Sequence, residues 1–199
     1  MNRVVIPFAL LLWSATAHAQ QVLHHDLDVT LDPAQNSIAV IDTITLVPQS
    51  AGQREFTFSL NERLLIASLQ GDNYRIEEVT ASLGNSAADA GREIAPSKQY
   101  RLILTDDSTQ VTLNYEGQVY TDAEQLTAEY AQSFSSTTGI IGEQGVYLDH
   151  SSVWVPDFQV GLMNFAMAVD FAPTAEGWTS VSQGDSQGRE NYWVSEQPM

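Results

Sequence analysis

The chain has 199 residues, of which 43% are hydrophobic, and it contains no cysteine. Eight basic residues against 25 acidic ones give a formal net charge of −17. That excludes nucleic acid as a partner, because phosphate binding needs clustered Lys and Arg, and it disfavours an anionic membrane surface. Without cysteine there is no disulfide, thiolate metal site, thiol nucleophile or acylated cysteine anchor.

The first 19 residues read as a secretory signal peptide. Arg3 supplies the charge, an apolar run from Val4 to Trp13 follows, and Ala17-His18-Ala19 is a small-x-small cleavage signal. The run is too short to span a bilayer, which takes about 20 apolar residues. Cleavage after Ala19 predicts a periplasmic or secreted protein with no membrane attachment. Residues 20–199 form one domain of about 180 residues, long enough to bury roughly 70% of its unfolded surface without staples.

Residues 22–31 alternate, with Leu23, His25, Leu27, Val29 and Leu31 on one face and His24, Asp26, Asp28 and Thr30 on the other. Period two predicts a half-buried strand. Asp32-Pro33-Ala34-Gln35-Asn36 supplies turn chemistry, and residues 37–47 are its hairpin partner. Ile38, Val40, Ile41, Ile44 and Leu46 fall on both faces there, predicting a strand covered on both sides. Short strands follow over 54–60, 64–69 and 74–79, and 81–97 reads as a surface loop. Residues 100–104 and 110–115 flank Asp106-Asp107-Ser108 and predict a second hairpin.

Between Asp122 and Phe134 the apolar spacing moves toward three and four, suggesting a short helix or an irregular excursion. Residues 139–158, GIIGEQGVYLDHSSVWVPDF, form a glycine-rich loop, a short apolar strand and a Trp-x-Pro turn. On a β-scaffold that combination marks a place where something other than core is built. Residues 162–171 alternate with Met163, Phe165, Met167, Val169 and Phe171 inward, and 178–182 and 190–195 are the last strands. Nine or ten short strands without a long helix predict an all-β antiparallel sandwich or open barrel.

Chemistry-bearing motifs are sparse. There is no HExxH, GxSxG, Walker loop or Ca²⁺-loop ladder. His24 and His25 point to opposite faces of one strand, so they cannot share an ion; His24 and Asp26 share a face, which is most simply an ordinary polar surface. Ser151 and Ser152 beside His150 do not make a triad, which is assembled from separate segments. No catalytic residue, metal ligand or cofactor site is expected in this chain.

The order of the motifs resembles the amino-terminal domain of the aminopeptidase N-like zinc metallopeptidases. HHDLDVTLDP followed by NSIAVIDTITL and REFTFSLNERLLIASL is similar to that domain's opening strands. LILTDDSTQVTLNYEG resembles its strand ending in Tyr-x-Gly, at Tyr115 and Gly117. GVYLDHSSVWVPDF matches a "Gly-Val-Tyr-Leu … Trp-Tyr-Pro" segment at Gly145, Val146, Tyr147, Leu148, Trp154 and Pro156, and residues 165–184, with Pro173, Gly177 and Trp178, resemble its closing strand pair. The resemblance implies a saddle-like β-domain packed on a zinc-bearing catalytic domain, in cis or in trans. It also implies a loop that receives the substrate's α-amine, for which Glu143 or Gln144 is the counterpart. In the family, a segment like Tyr192-Trp193-Val194 leads into the catalytic domain. Zinc is therefore expected there and not here, and this chain would be part of a zinc aminopeptidase only as a fragment of one. The alternative is a stand-alone periplasmic sandwich that binds a ligand or protein through its loops.

Overall fold

In the computed structural model, the structure describes residues 22–79, 94–120, 138–159 and 162–197. The leader, most of the 81–97 loop and the expected excursion at 122–134 lie outside the described residues. Eleven strands are described: β1 (Leu23–Asp32), β2 (Ser37–Thr45), β3 (Glu55–Asn61), β4 (Leu64–Ile66), β5 (Tyr74–Val79), β6 (Ser97–Leu104), β7 (Gln110–Gln118), β8 (Ile140–Gly142), β9 (Gly145–Tyr147), β10 (Met163–Phe171) and β11 (Tyr192–Ser195). The all-β expectation holds. The only helical elements among the described residues are single 3-10 turns, and no helix there is long and apolar enough to cross a membrane.

The strands form a six-stranded sheet in the order β11-β10-β1-β2-β7-β4, a three-stranded sheet in the order β3-β6-β5, and the β8-β9 hairpin. All pairs are antiparallel except β1 with β10. The expected β1-β2 hairpin forms, turned by Asp32, whose side chain accepts from Ala34 N–H, and by Asn36 in the left-handed region. Leu23, Leu27, Val29 and Leu31 face the core with Ile38, Val40, Ile44 and Leu46, and Phe56, Phe58, Leu60, Leu102 and Leu104 meet them from the small sheet. Each such side chain contributes about 1.5–3 kcal/mol by leaving water.

Three sequence expectations are corrected. Residues 100–104 and 110–115 are not a hairpin: β6 pairs with β3 and β5, whereas β7 pairs with β2 and β4. The connection crosses between sheets, and Arg54 braces it by donating to Asp106 O and pairing with Asp107. Alternation reports which face of a strand is buried but not which strand lies beside it. Secondly, β2 is covered on one face only, since Ile41 is half exposed and the inward position between Val40 and Ile44 belongs to Asp42. Thirdly, residues 178–182 are not a strand. Side chains hold them instead: Ser180 N–H donates to Asn191 Oδ1, and Trp193 Nε1–H donates to Ser180 Oγ.

Candidate functional site

Neighbouring strands lie about 4.8 Å apart, so six strands span about 24 Å and three only about 10 Å. The small sheet cannot cover the large one. Tyr74 on β5 donates to Thr112 O on β7, which places the small sheet over the β2-β7 half. The inward faces of β1 and β10 must be covered by something else. That cover is the Trp-x-Pro stretch, laid along the free edge of β3 as an incomplete further strand. Ser59 and Asp157 exchange both backbone hydrogen bonds at 2.9 Å, Asn61 N–H donates to Val153 O, and Asn61 Nδ2 donates to Ser152 O.

The sequence folds this way locally for identifiable reasons. Gly139 holds φ at +104, and a Cβ there would lie 2.8 Å from both Ser152 Cβ and Val119 Cγ1, so only glycine lets the chain enter. Asp149 caps the 3-10 turn His150–Ser152 through Ser151 N–H and Oγ–H, and Ser152 Oγ–H donates to Asp149 O. Both serine hydroxyls therefore serve the turn. Val153 follows at φ +47, a left-handed position that β-branched residues rarely occupy. The surrounding hydrogen bonds impose it, and it swings the chain onto β3.

Coverage is incomplete. A groove of about 800 Å³ remains between this stretch, the inward faces of β1 and β10, and residues 181–183. Its walls are mainly apolar: Leu23, Leu27, Leu148, Trp154, Phe158, Phe165 and Met167, with Tyr147, Leu162 and Val181 exposed at the rim. Asp149, Asp157 and His150 supply the carboxyl and imidazole groups lining it. Phe158 is a partition, because its other side lines a smaller cavity of about 230 Å³. Tyr192 is not in the groove; Arg189 stacks on its ring at 3.7 Å.

Glu143 and Gln144 form the exposed tip of the β8-β9 hairpin. Neither lines the groove. The hairpin is tied to the body by Asn36 Nδ2–H to Ile141 O and by Ile141 N–H to Val119 O, while Val146, Leu148 and Trp154 pack on the core. The two residues are thus presented on a fixed support with their side chains in solvent. His24 Nδ1–H donates to Asn164 Oδ1 at 2.7 Å, on the outer face. Among the described residues no group of three His, Asp or Glu side chains converges as a metal site.

One constellation escaped the sequence reading. His25 and Asp42, both fully buried, are joined at 2.9 and 3.1 Å from Nδ1 to the two carboxylate oxygens. Asp42 lies opposite Leu27, diagonal to His25 on one side and to Tyr115 on the other. Burial pushes the Asp42 carboxyl above its ordinary range, against the pull of His25, and burial with the nearby Asp42 pushes the Tyr115 phenol well up. Among the described residues, His25 Nε2 and Tyr115 Oη have no hydrogen-bond partner. The signal was present: His25 is in phase with Leu23 and Leu27, and Asp42 with Val40 and Ile44.

No protein-family model matches the chain, and no curated protein sequence matches it. Among solved structures, it is similar to an M1 zinc metallopeptidase from Deinococcus radiodurans, a mutant bound to a Tyr-Ser-Ala substrate. The TM-score is 0.45 and the identity 13%, over 90% of this chain and 40% of that one. It is also similar to leukotriene A4 hydrolase from Saccharomyces cerevisiae, with TM-score 0.41 and 13% identity, over 89% of this chain and 27% of that one. The chain thus spans less than half the length of either protein, and the likeness is one of fold alone.

Proposed function

We propose that this chain is a non-catalytic amino-terminal β-domain of a periplasmic or secreted zinc aminopeptidase-like protein. It docks on a catalytic domain, in the same chain or a separate one, and shapes the end of the cleft that receives a peptide's amino terminus. The carrying observation is the incomplete cover over the β1-β10 half of the large sheet. An apolar groove whose rim holds Tyr147, Leu162 and Val181 is what a domain that normally packs against another leaves open. The ordered motif resemblance supports the identity of the partner. Glu143 at the hairpin tip supplies an acceptor-only carboxylate, which suits a substrate ammonium, with Gln144 beside it. Zinc belongs to the catalytic partner in this reading, and residues 1–19 are the export signal.

The test begins with the coding sequence after codon 199 and the neighbouring genes. The encoded HExxH domain, expressed separately, should form a stable complex with the mature chain and shift Trp154 emission. Absence of any such domain, or no complex with it at micromolar concentrations, refutes the proposal.

A second reading is favoured by one observation. Tyr147 and Trp154 line the same groove, whose volume falls within the range of about 300–1,000 Å³ typical of small-molecule sites. The chain would then be a stand-alone binding module, and small-ligand binding by the monomer without a partner would select it.

A further inference from the structure

The buried His25–Asp42 pair lies immediately behind the groove. His25 stands on β1 between Leu23 and Leu27, both of which line the groove. Its register partner on β10 is Phe165, another wall residue. Its ring centroid is 6.3 Å from that of Phe158, the partition, which also packs at 5.2 Å on Phe58. With Nδ1 turned to Asp42 on β2, the unpartnered Nε2 is on the far side of the ring, away from the carboxylate.

We propose that this pair is a proton switch for the groove: while it holds two protons and is neutral overall the Phe158 wall is packed tight, and loss of one of them as pH rises loosens the wall. The proposal rests on the reading of the groove as a docking face, whose regulation it would be.

The charge arithmetic is simple. With one proton on Nε2 and a second between Nδ1 and the carboxylate, the pair is neutral overall, whichever of those two atoms carries the second. When the second proton leaves to solvent, a net negative charge remains where both residues are wholly buried. Besides His25, the charged groups that bear on Asp42 among the described residues are Asp26 and His24, which act in opposite directions. From β7 the facing group is the neutral Tyr115 phenol; from β10 it is apolar Phe165; from the β3 side, Phe58 and Phe158. His24 and Asp26 lie on the opposite face of β1, and Asp157, next to Phe158, has its Oδ1 engaged by Gln159 N–H. The sign agrees with the raised Asp42 carboxyl: its stabilising contribution is present below the ordinary carboxylate value and is lost as pH rises through the folded one. An uncompensated buried charge is relieved by admitting water. Phe158 offers a route, because it lines both cavities and its stretch is held to β3 by the Ser59–Asp157 pair and by Asn61.

Hydrogen exchange of the mature chain tests this directly. The amides of Ser59, Asn61 and Asp157 hold the wall, so their protection factors, corrected for intrinsic rates, should fall at least about five-fold between about pH 5 and about pH 8.5. The same change should be under about two-fold in Asp42→Asn, whose side chain does not titrate. Equal protection at both pH values, or the same fall in Asp42→Asn, overturns the switch. If that variant does not fold, the wild type suffices. The His25 Cε1–H resonance must then shift with the same midpoint as the protection, and separate midpoints overturn the proposal. Failure of a catalytic partner to bind would refute the docking reading and leave these protection factors unchanged, so the two failures are distinct.

Discussion

Removing the members of the His25–Asp42 pair singly and together distinguishes a pair that stabilises the core from one that is merely tolerated. His25→Leu leaves a carboxyl group at 0% exposure with no hydrogen-bond partner among the described residues. Breaking a buried pair from one side costs about 3–5 kcal/mol. Asp42→Leu removes the group that burial disfavours most and leaves a neutral imidazole with both nitrogens unsatisfied, at a cost of about 1–3 kcal/mol. The double variant extends the apolar face from Leu23 through Leu27 and from Val40 through Ile44, and should be neutral or more stable by about 1–4 kcal/mol. Urea unfolding at neutral pH, with a slope of about 2 kcal/mol per molar, would show His25→Leu lowering the midpoint by about 2 M and the double variant restoring it. The His25→Leu penalty should also shrink on acidification, because the raised Asp42 carboxyl is protonated there and no longer an isolated charge. A double variant that loses the sum of the two single losses would refute the reasoning, because it would mean that neither single loss reflects an orphaned partner.

Gly184→Ala puts a Cβ at 2.3 Å from Val194 O at a backbone φ of +94, so the Asp185–Val194 bridge must open, at about 1–3 kcal/mol by thermal unfolding. Leu162→Asp combined with Val181→Asp alters two exposed rim positions and should change stability by under about 0.5 kcal/mol, yet weaken association with the catalytic partner at least about ten-fold in a titration followed by Trp154 emission. Glu143→Lys at the hairpin tip should leave the unfolding midpoint unchanged and raise the KM of the assembled peptidase for substrates with a free amine, with little change for amine-blocked ones.

Strand positions were legible because alternation is a local signal. Leu23, Leu27 and Val29 announce β1, and Phe165, Met167 and Val169 announce β10, whatever lies beside them. Pairing is not local, and the failures follow from that. Residues 100–104 and 110–115 have matching patterns because both face one core, from opposite sheets. Ser180 escapes strand geometry because Asn191 and Trp193 hold its side chain, a contact set by two residues more than ten positions away. Asp42 was missed because an acidic residue among β-branched neighbours reads as an interruption of the pattern. Its phase with Val40 and Ile44, not its chemistry, carries the information that it is buried.

The glycine-rich stretch at 139–158 owes its form to the difference in sheet widths. A sandwich of two equal sheets needs no such segment. Here, among the described residues, about 14 Å of the large sheet has no strand of the small sheet above it, and this stretch covers that gap. Its special residues are therefore structural in their first effect: Gly139 admits the chain past Ser152 and Val119, Asp149 caps the turn, and Val153 accepts a left-handed backbone so that Asp157 reaches Ser59. The functional consequence comes from the mismatch that remains. A single irregular strand lacks the alternating inward side chains that would fill the space above Leu23, Leu27 and Met167, so a groove persists there, with Phe158 and Phe165 in its wall beside the buried pair. The stretch that the sequence marked as something other than core thus acts as a cover, and the groove lies beneath it.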